Sequence, residues 1–334
     1  MIKNSKLTSL LLAGILGASL LTGCSGGGDT ASSDEVKKIG ITQLVEHPSL
    51  DQTREGFIKA LEDNGYKDGE NIEIDYQNAQ NDNPTSQTIA SNFVNDKKDL
   101  IYAVSTPSAQ AAYNATKDIP ILFTAVTDPV EAGLVKSLDN KDGGNVSGTS
   151  DYLSIDKSLS LIDTLKLDVK TIGVMYSTSE VNSKVQVDAL KEYAKTKGYT
   201  VVEKGISASS EVNQAISSLV GKVDALYVPT DNLVVSSMPI IAKTANENNL
   251  PILASDEGSV TSGALACAGV DYYQLGYKTG EMAVKILKGE ATPADLAVET
   301  MDEPVITMNE DTMKTLSIEK PADVEVKTVT TETN

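Results

Sequence analysis

The sequence predicts an α/β protein of two similar lobes, each a doubly wound parallel sheet, joined by a hinge. Three observations carry this. Short apolar runs alternate with amphipathic helical stretches, the pattern of a parallel sheet with helices on both faces. The alternation occurs twice: Lys38-Ile39-Gly40-Ile41 reads like Thr171-Ile172-Gly173-Val174, and Gly65-Tyr66 recurs as Gly198-Tyr199, both 133 residues on. Ile101-Tyr102 likewise recurs as Leu226-Tyr227, and Ile119-Pro120-Ile121 as Leu250-Pro251-Ile252. Finally, 334 residues suit two domains that each bury a core.

In the first copy, residues 36–41 form a strand, and the loop after it sets Gln43, Glu46 and His47 at the strand's carboxyl end. Pro48-Ser49 opens a helix with Phe57, Ile58 and Leu61 on its apolar face, stopped by the pair Asn64-Gly65. A strand over 72–76, a polar loop over 78–84 and a helix over 85–94 follow. The run from Leu100 to Val104 suits a strand buried on both faces. Ser105 and Thr106 are N-cap candidates, and Pro107 fits the first helical position before an alanine-rich run. That turn sets hydroxyls beside the free N–H groups of a helix start. A strand over 119–123 then ends in Thr124, Thr127 and Asp128, with a helix around 130–138.

Residues 146–155 cross to the second half, a helix covers 156–167, and a strand over 171–176 ends in a loop over 177–183. The central strand over 225–228 ends in Pro229-Thr230-Asp231-Asn232, and the strand over 252–254 in Ser255-Asp256-Glu257-Gly258. Residues 264–270 and a helix over 272–287 have no counterpart in a simple two-repeat scheme; with 305–307 they return the chain to the first lobe and then to the second. The expected lobes are 36–150 plus 266–302, and 151–265 plus 303–320. Residues 321–334 lack periodicity and read as a disordered tail.

Composition excludes several functions. A net charge of −19 leaves no basic face for nucleic acid. One histidine, His47, and two cysteines form no metal-ligand cluster and no Ser-His-Asp triad. No nucleophile–base pair or cofactor fingerprint marks an enzyme. Lys3 and Lys6 precede an apolar run, Leu7 to Leu21, that is short for a spanning helix. It ends in Leu21-Thr22-Gly23-Cys24, which resembles the bacterial lipoprotein lipobox, whose cysteine is lipidated and becomes the first mature residue. Residues 1–23 are then a signal peptide. The stretch 24–35, rich in Gly and Ser, is a tether reaching roughly 15–20 Å for about ten residues. Cys267 is left alone, so no intramolecular disulfide is expected.

A tethered two-lobed protein of this topology resembles the type I solute-binding proteins of ABC importers, from Val36 to about Lys320. Gly148-Thr149-Ser150-Asp151-Tyr152-Leu153, Ile172-Gly173-Val174-Met175-Tyr176, Glu180 with Asn182-Ser183, and Pro229-Thr230-Asp231-Asn232 are similar to the tryptophan or aromatic amino-acid type of substrate-binding lipoprotein. Ser154 and Val181 depart from the proline and alanine expected there. The resemblance implies a type I periplasmic-binding-protein fold, needing no cofactor or metal, monomeric and anchored through lipid on Cys24 outside the cytoplasmic membrane. It implies capture of an amino acid, aromatic above others, between closing lobes, for delivery to ABC permease and ATPase subunits. A nucleoside, a sugar or a branched amino acid on the same fold is the alternative.

An α-amino acid offers a carboxylate and an ammonium. The first lobe supplies hydroxyls at Ser105, Thr106, Thr124 and Thr127 beside helix starts. The second supplies acids at strand ends, Asp231, Asp256 and Glu257, with Asp256 preferred for the ammonium. Gln43, Asp128, Asp151, Glu180, Asn182, Ser183, Thr230 and Asn232 complete the polar candidates. His47, Tyr152, Tyr176 and Tyr272 sit at the expected cleft edges and offer flat partners for an aromatic side chain. The plainer role of each hydroxyl is capping, and of each acid a solvated turn.

Overall fold

The computed structural model describes residues 36–140, 144–301 and 303–332. The apolar N-terminal run, Cys24 and the Gly/Ser tether lie outside them. The first lobe opens with β1 (Lys37–Gln43), α1 (Pro48–Asp63), β2 (Ile72–Asn78), α2 (Asn83–Asn95), β3 (Leu100–Val104), α3 (Thr106–Ala115), β4 (Ile121–Thr124) and β5 (Val146–Ser150). The second lobe holds α4 (Ile155–Thr164), β6 (Thr171–Ser177), α5 (Val181–Lys197), β7 (Thr200–Ile206), α6 (Val212–Leu219), β8 (Ala225–Val228), α7 (Asn232–Ser236), α8 (Met238–Glu247), β9 (Ile252–Ala254), α9 (Glu257–Thr261) and β10 (Ala266–Gly269). The chain returns to the first lobe as α10 (Tyr272–Leu287) and β11 (Glu299–Thr300). It ends in the second as β12 (Val305–Asn309), α11 (Glu310–Leu316) and β13 (Lys327–Val329).

The first sheet has the order β11-β5-β4-β3-β1-β2 and the second β13-β12-β10-β9-β8-β6-β7. Five strands of each sheet follow the same order, so the duplication seen in the sequence is a duplication of topology. It also corrects one expectation. Residues 264–270 do have a counterpart: β10 stands in the second sheet where β5 stands in the first, pairing parallel with β9. The strand expected to begin a first-lobe segment at 266 therefore belongs to the second sheet. The chain crosses between sheets after β5, after β10 and after β11.

Alternation along the central strands explains the two-layer burial. Leu100, Tyr102 and Val104 pack towards α1 and α10, while Ile101 and Ala103 pack towards α2 and α3. In the second lobe Leu226 and Val228 face α6 and α8, and Ala225 and Tyr227 face α4 and α5. The repeated Gly-Tyr pairs have one local cause. Gly65 and Gly198 adopt left-handed φ values of 87° and 77°, and the next tyrosine N–H donates back to Leu61 or Ala194. Both helices stop there.

Helix α10 is held to the first lobe by backbone contact with α1. A Cβ on Gly276 would fall 1.9 Å from the Thr53 carbonyl oxygen, and one on Gly56 2.1 Å from that of Tyr273. Two other expectations fail. Residues 130–138 form successive turns rather than a helix, because Asp128 accepts from the Val130 and Glu131 N–H groups and Gly133 turns left-handed. The C-terminal segment is not frayed through Glu332: β13 pairs parallel with β12, Lys327 bridges Glu257, and Asn309 donates to the Thr331 hydroxyl.

Candidate functional site

The lobes meet over the carboxyl ends of their strands, where both contribute to one narrow cavity. His47 and Leu50 come from the start of α1, Ala125 follows β4, and Asp151 follows β5. Thr230, Asp231, Asn232 and Val235 come from the β8–α7 turn and α7, and Asp256 from the turn before α9. Tyr272, the first residue of α10, closes the lining. The enclosed space is about 20 Å³, room for roughly one water, so the lobes must part to admit an amino acid.

The lining contains three aspartates and no lysine or arginine, but the three differ. Asp231 caps α7: Oδ1 accepts from the Val234 N–H, and Oδ2 from the Ser177 N–H and the Ser183 hydroxyl. Asp256 caps α9, accepting from the Ser259 N–H and hydroxyl, and reaches the other lobe through the Ser49 hydroxyl at 2.6 Å. Asp151 accepts from the Tyr272 hydroxyl, at 2.9 Å on Oδ2, with the Thr127 hydroxyl also lowering its pKa, and its buried Oδ1 makes no hydrogen bond. Burial pushes the Asp151 carboxyl up to about 6, with the Tyr272 hydrogen bond opposing.

His47 precedes α1 without capping it, and its buried Nδ1 has no partner. Burial lowers its pKa against the pull of Asp256 and Asp51, which favours the neutral imidazole. Behind the lining, Glu180 accepts from the Asn182 side chain, from the Asn232 side chain and N–H, and from the Leu233 N–H. Burial and the nearby Asp231 push Glu180 up to about 8, and burial raises Asp231.

Seven of the sequence candidates thus line the cavity: His47, Asp151, Thr230, Asp231, Asn232, Asp256 and Tyr272. The others stand elsewhere, for visible reasons. Gln43 ends β1 and is tied to Asp51 and Arg54. Thr124 belongs to a buried hydroxyl chain with Thr149 and Thr279. Thr127 meets Thr230 across the lobes at 2.9 Å, and Asp128 holds its own turn. Ser105 is no cap: its φ is +89°, and its hydroxyl, like those of Thr106 and Ser108, is buried without a partner. Asn182 and Ser183 support Glu180 and Asp231, while Tyr152 is exposed. Tyr176 packs against the second core, and Glu257 pairs with Lys327. Leu50, Ala125 and Val235 carried no sequence signal beyond lying beside polar candidates. Val181, the second departure from the family pattern, packs from α5 against the core of the first lobe.

Residues 38–332 match the family model described as ABC transporter substrate binding protein. The chain is 66% identical over 342 residues to a tyrosine-binding protein of Clostridioides difficile (strain R20291), covering 100% of this chain and 99% of the relative. It resembles the ligand-free, open structure of a substrate binding protein with adhesive properties from Clostridium difficile, at 67% identity and TM-score 0.69, covering 89% of this chain and 100% of that one. It also resembles an ABC domain in complex with L-Trp from Streptococcus pneumoniae, at 38% identity and TM-score 0.82, covering 86% and 96%. The TM-score is thus higher to the liganded relative than to the open one, against the order of identity. This chain belongs to the ABC transporter substrate binding protein family and is an extracytoplasmic solute binder, not an enzyme.

Proposed function

We propose that the protein is the solute-binding lipoprotein of an ABC importer, and that it captures an aromatic amino acid, L-tyrosine first, between its lobes. The observation that carries this is the pair of buried, unpartnered polar atoms on residues that line the cavity, Asp151 Oδ1 and His47 Nδ1. Buried polar atoms left unpaired cost free energy, and a polar ligand relieves that cost. A lining with three carboxylates and no lysine or arginine favours a ligand that brings its own cation. Leu50, Ala125, Val235 and the Tyr272 ring offer apolar contact for an aromatic side chain. The relative named for tyrosine and the neighbour holding L-Trp agree with this choice.

His47, Asp151, Thr230, Asp231, Asn232 and Asp256 form the proposed site. Delivery to permease and ATPase subunits is part of this reading, supported by the family match. The anchor is lipid on Cys24, supported by Lys3, Lys6 and the Leu21-Thr22-Gly23-Cys24 ending. Cys24→Ala should release the protein from the membrane; retention with no lipid detected contradicts the anchor. A thermal-shift screen of amino acids, nucleosides and sugars tests the ligand, since a solute bound only by the folded state raises stability. Tyrosine and tryptophan should give the largest shifts. A response to nucleosides or sugars alone would overturn the amino-acid reading.

A further inference from the structure

Resting on the amino-acid reading above, we infer that the ligand's ammonium is taken by Asp151, at the crossing between the lobes, and not by either strand-end acid of the second lobe. The argument is one of partners. Both oxygens of Asp231 already accept from the α7 start, the Ser177 N–H and the Ser183 hydroxyl. Both oxygens of Asp256 already accept from Ser49 or Ser259. These carboxylates have the partners that N-caps need, and they fix the turns that carry them. Asp151 lines the same cavity, is 5% exposed, and keeps Oδ1 free.

Its other oxygen is held by the Tyr272 hydroxyl. Tyr272 opens α10 just after the second crossing, and Asp151 follows β5 at the first. The pair thus links two of the three crossings through one hydrogen bond. Tyr272 is a positioning residue here: it holds Oδ2 of a carboxylate that lines the cavity and leaves Oδ1 without a partner. An ammonium on Oδ1 sets the ligand against the hinge, where its charge is felt by both lobes.

The test compares L-tyrosine with 3-(4-hydroxyphenyl)propionate, which keeps the carboxylate and the phenol and lacks the amine. Calorimetry on the full chain should show the parent preferring tyrosine. Asp151→Asn should weaken tyrosine by at least about 30-fold and bring the two ligands within a few-fold of each other. Asp231→Asn and Asp256→Asn should keep the preference, whatever their absolute affinities. Tyr272→Phe leaves Asp151 in place and should reduce the preference several-fold with little change for the propionate; it serves as the second probe where Asp151→Asn fails to fold. A parental preference retained in both Asp151→Asn and Tyr272→Phe, or lost in Asp256→Asn or Asp231→Asn alone, overturns the assignment. A parent that binds neither tyrosine nor tryptophan overturns the amino-acid reading itself, and the assignment with it.

Discussion

The Ser49 hydroxyl donates to Asp256 Oδ1 at 2.6 Å, a buried bond that joins α1 of the first lobe to the cap of α9 in the second. The same hydroxyl accepts from the Gly258 N–H at 3.1 Å. Like the bond between Thr127 and Thr230, it is a direct polar contact between the lobes. A hydrogen bond to a charged group contributes about 1.5–3 kcal/mol. Ser49→Ala should therefore weaken L-tyrosine binding roughly ten- to hundred-fold, read by calorimetry, with little change in the fold by circular dichroism. An unchanged Kd would show that this bond does not hold the closed state.

Closure itself has a scattering signature. The cavity between the lobes is too small for an amino acid to enter, and the crossings after β5, β10 and β11 are short segments between compact sheets. Small-angle scattering should give a smaller radius of gyration with saturating ligand than without it. Equal radii would count against a hinge.

Binding should depend on pH through Asp151. Burial holds its carboxyl up at about 6 before an ammonium arrives, and a bound ammonium lowers it again. The ligand then prefers the ionised form, so affinity is full well above pH 6 and falls as pH drops through about 6, approaching tenfold per unit below it. The groups sharing the cavity are His47, Asp231, Asp256 and the Tyr272 hydroxyl. His47 gaining charge in acid acts in the same direction. Calorimetry from pH 8 to 5 on the parent and on Asp151→Asn separates the two, because the variant should lose the larger part of the slope. A flat parental profile contradicts a carboxylate partner for the ammonium.

Stability should be most sensitive where α10 crosses α1. Gly276→Ala places a methyl 1.9 Å from the Thr53 carbonyl oxygen, where backbone must move. Overpacking of this kind typically costs about 1–3 kcal/mol, occasionally more. The urea midpoint should fall by a matching amount with m unchanged. A midpoint equal to the parent's would mean that the two helices separate freely.

The doubling of the fold was legible because it rests on short-range chemistry. Glycines that stop helices, apolar runs that fill parallel strands and prolines that lead them all leave marks within a few residues. Residues 264–270 were misread because β10 is a short run of small residues, Ala-Cys-Ala-Gly, whose strand character comes from its neighbours in the sheet. The tail was misread for a similar reason, since β13 is held by β12 and Glu257 rather than by any pattern of its own.

Within the candidate site, residue type was easier to read than role. Asp231, Asp256 and Asp151 look alike in sequence. What separates them is which N–H and hydroxyl groups the fold brings to each oxygen, and those donors include Ser177, Ser49 and Tyr272, far away along the chain. Ser105 and Thr106 were read as cap candidates from the Ser-Thr-Pro turn, yet a left-handed Ser105 leaves that cap unmade and both hydroxyls buried without a partner.

The central claim is that this cavity takes an aromatic amino acid, and titration calorimetry of the purified protein with L-tyrosine tests it most directly. The account predicts saturable one-to-one binding, much tighter for L-tyrosine than for leucine, a nucleoside or a sugar, together with a negative heat-capacity change from burial of the ring. No heat and no thermal stabilisation with tyrosine or tryptophan, alongside clear binding of a neutral solute, would contradict it.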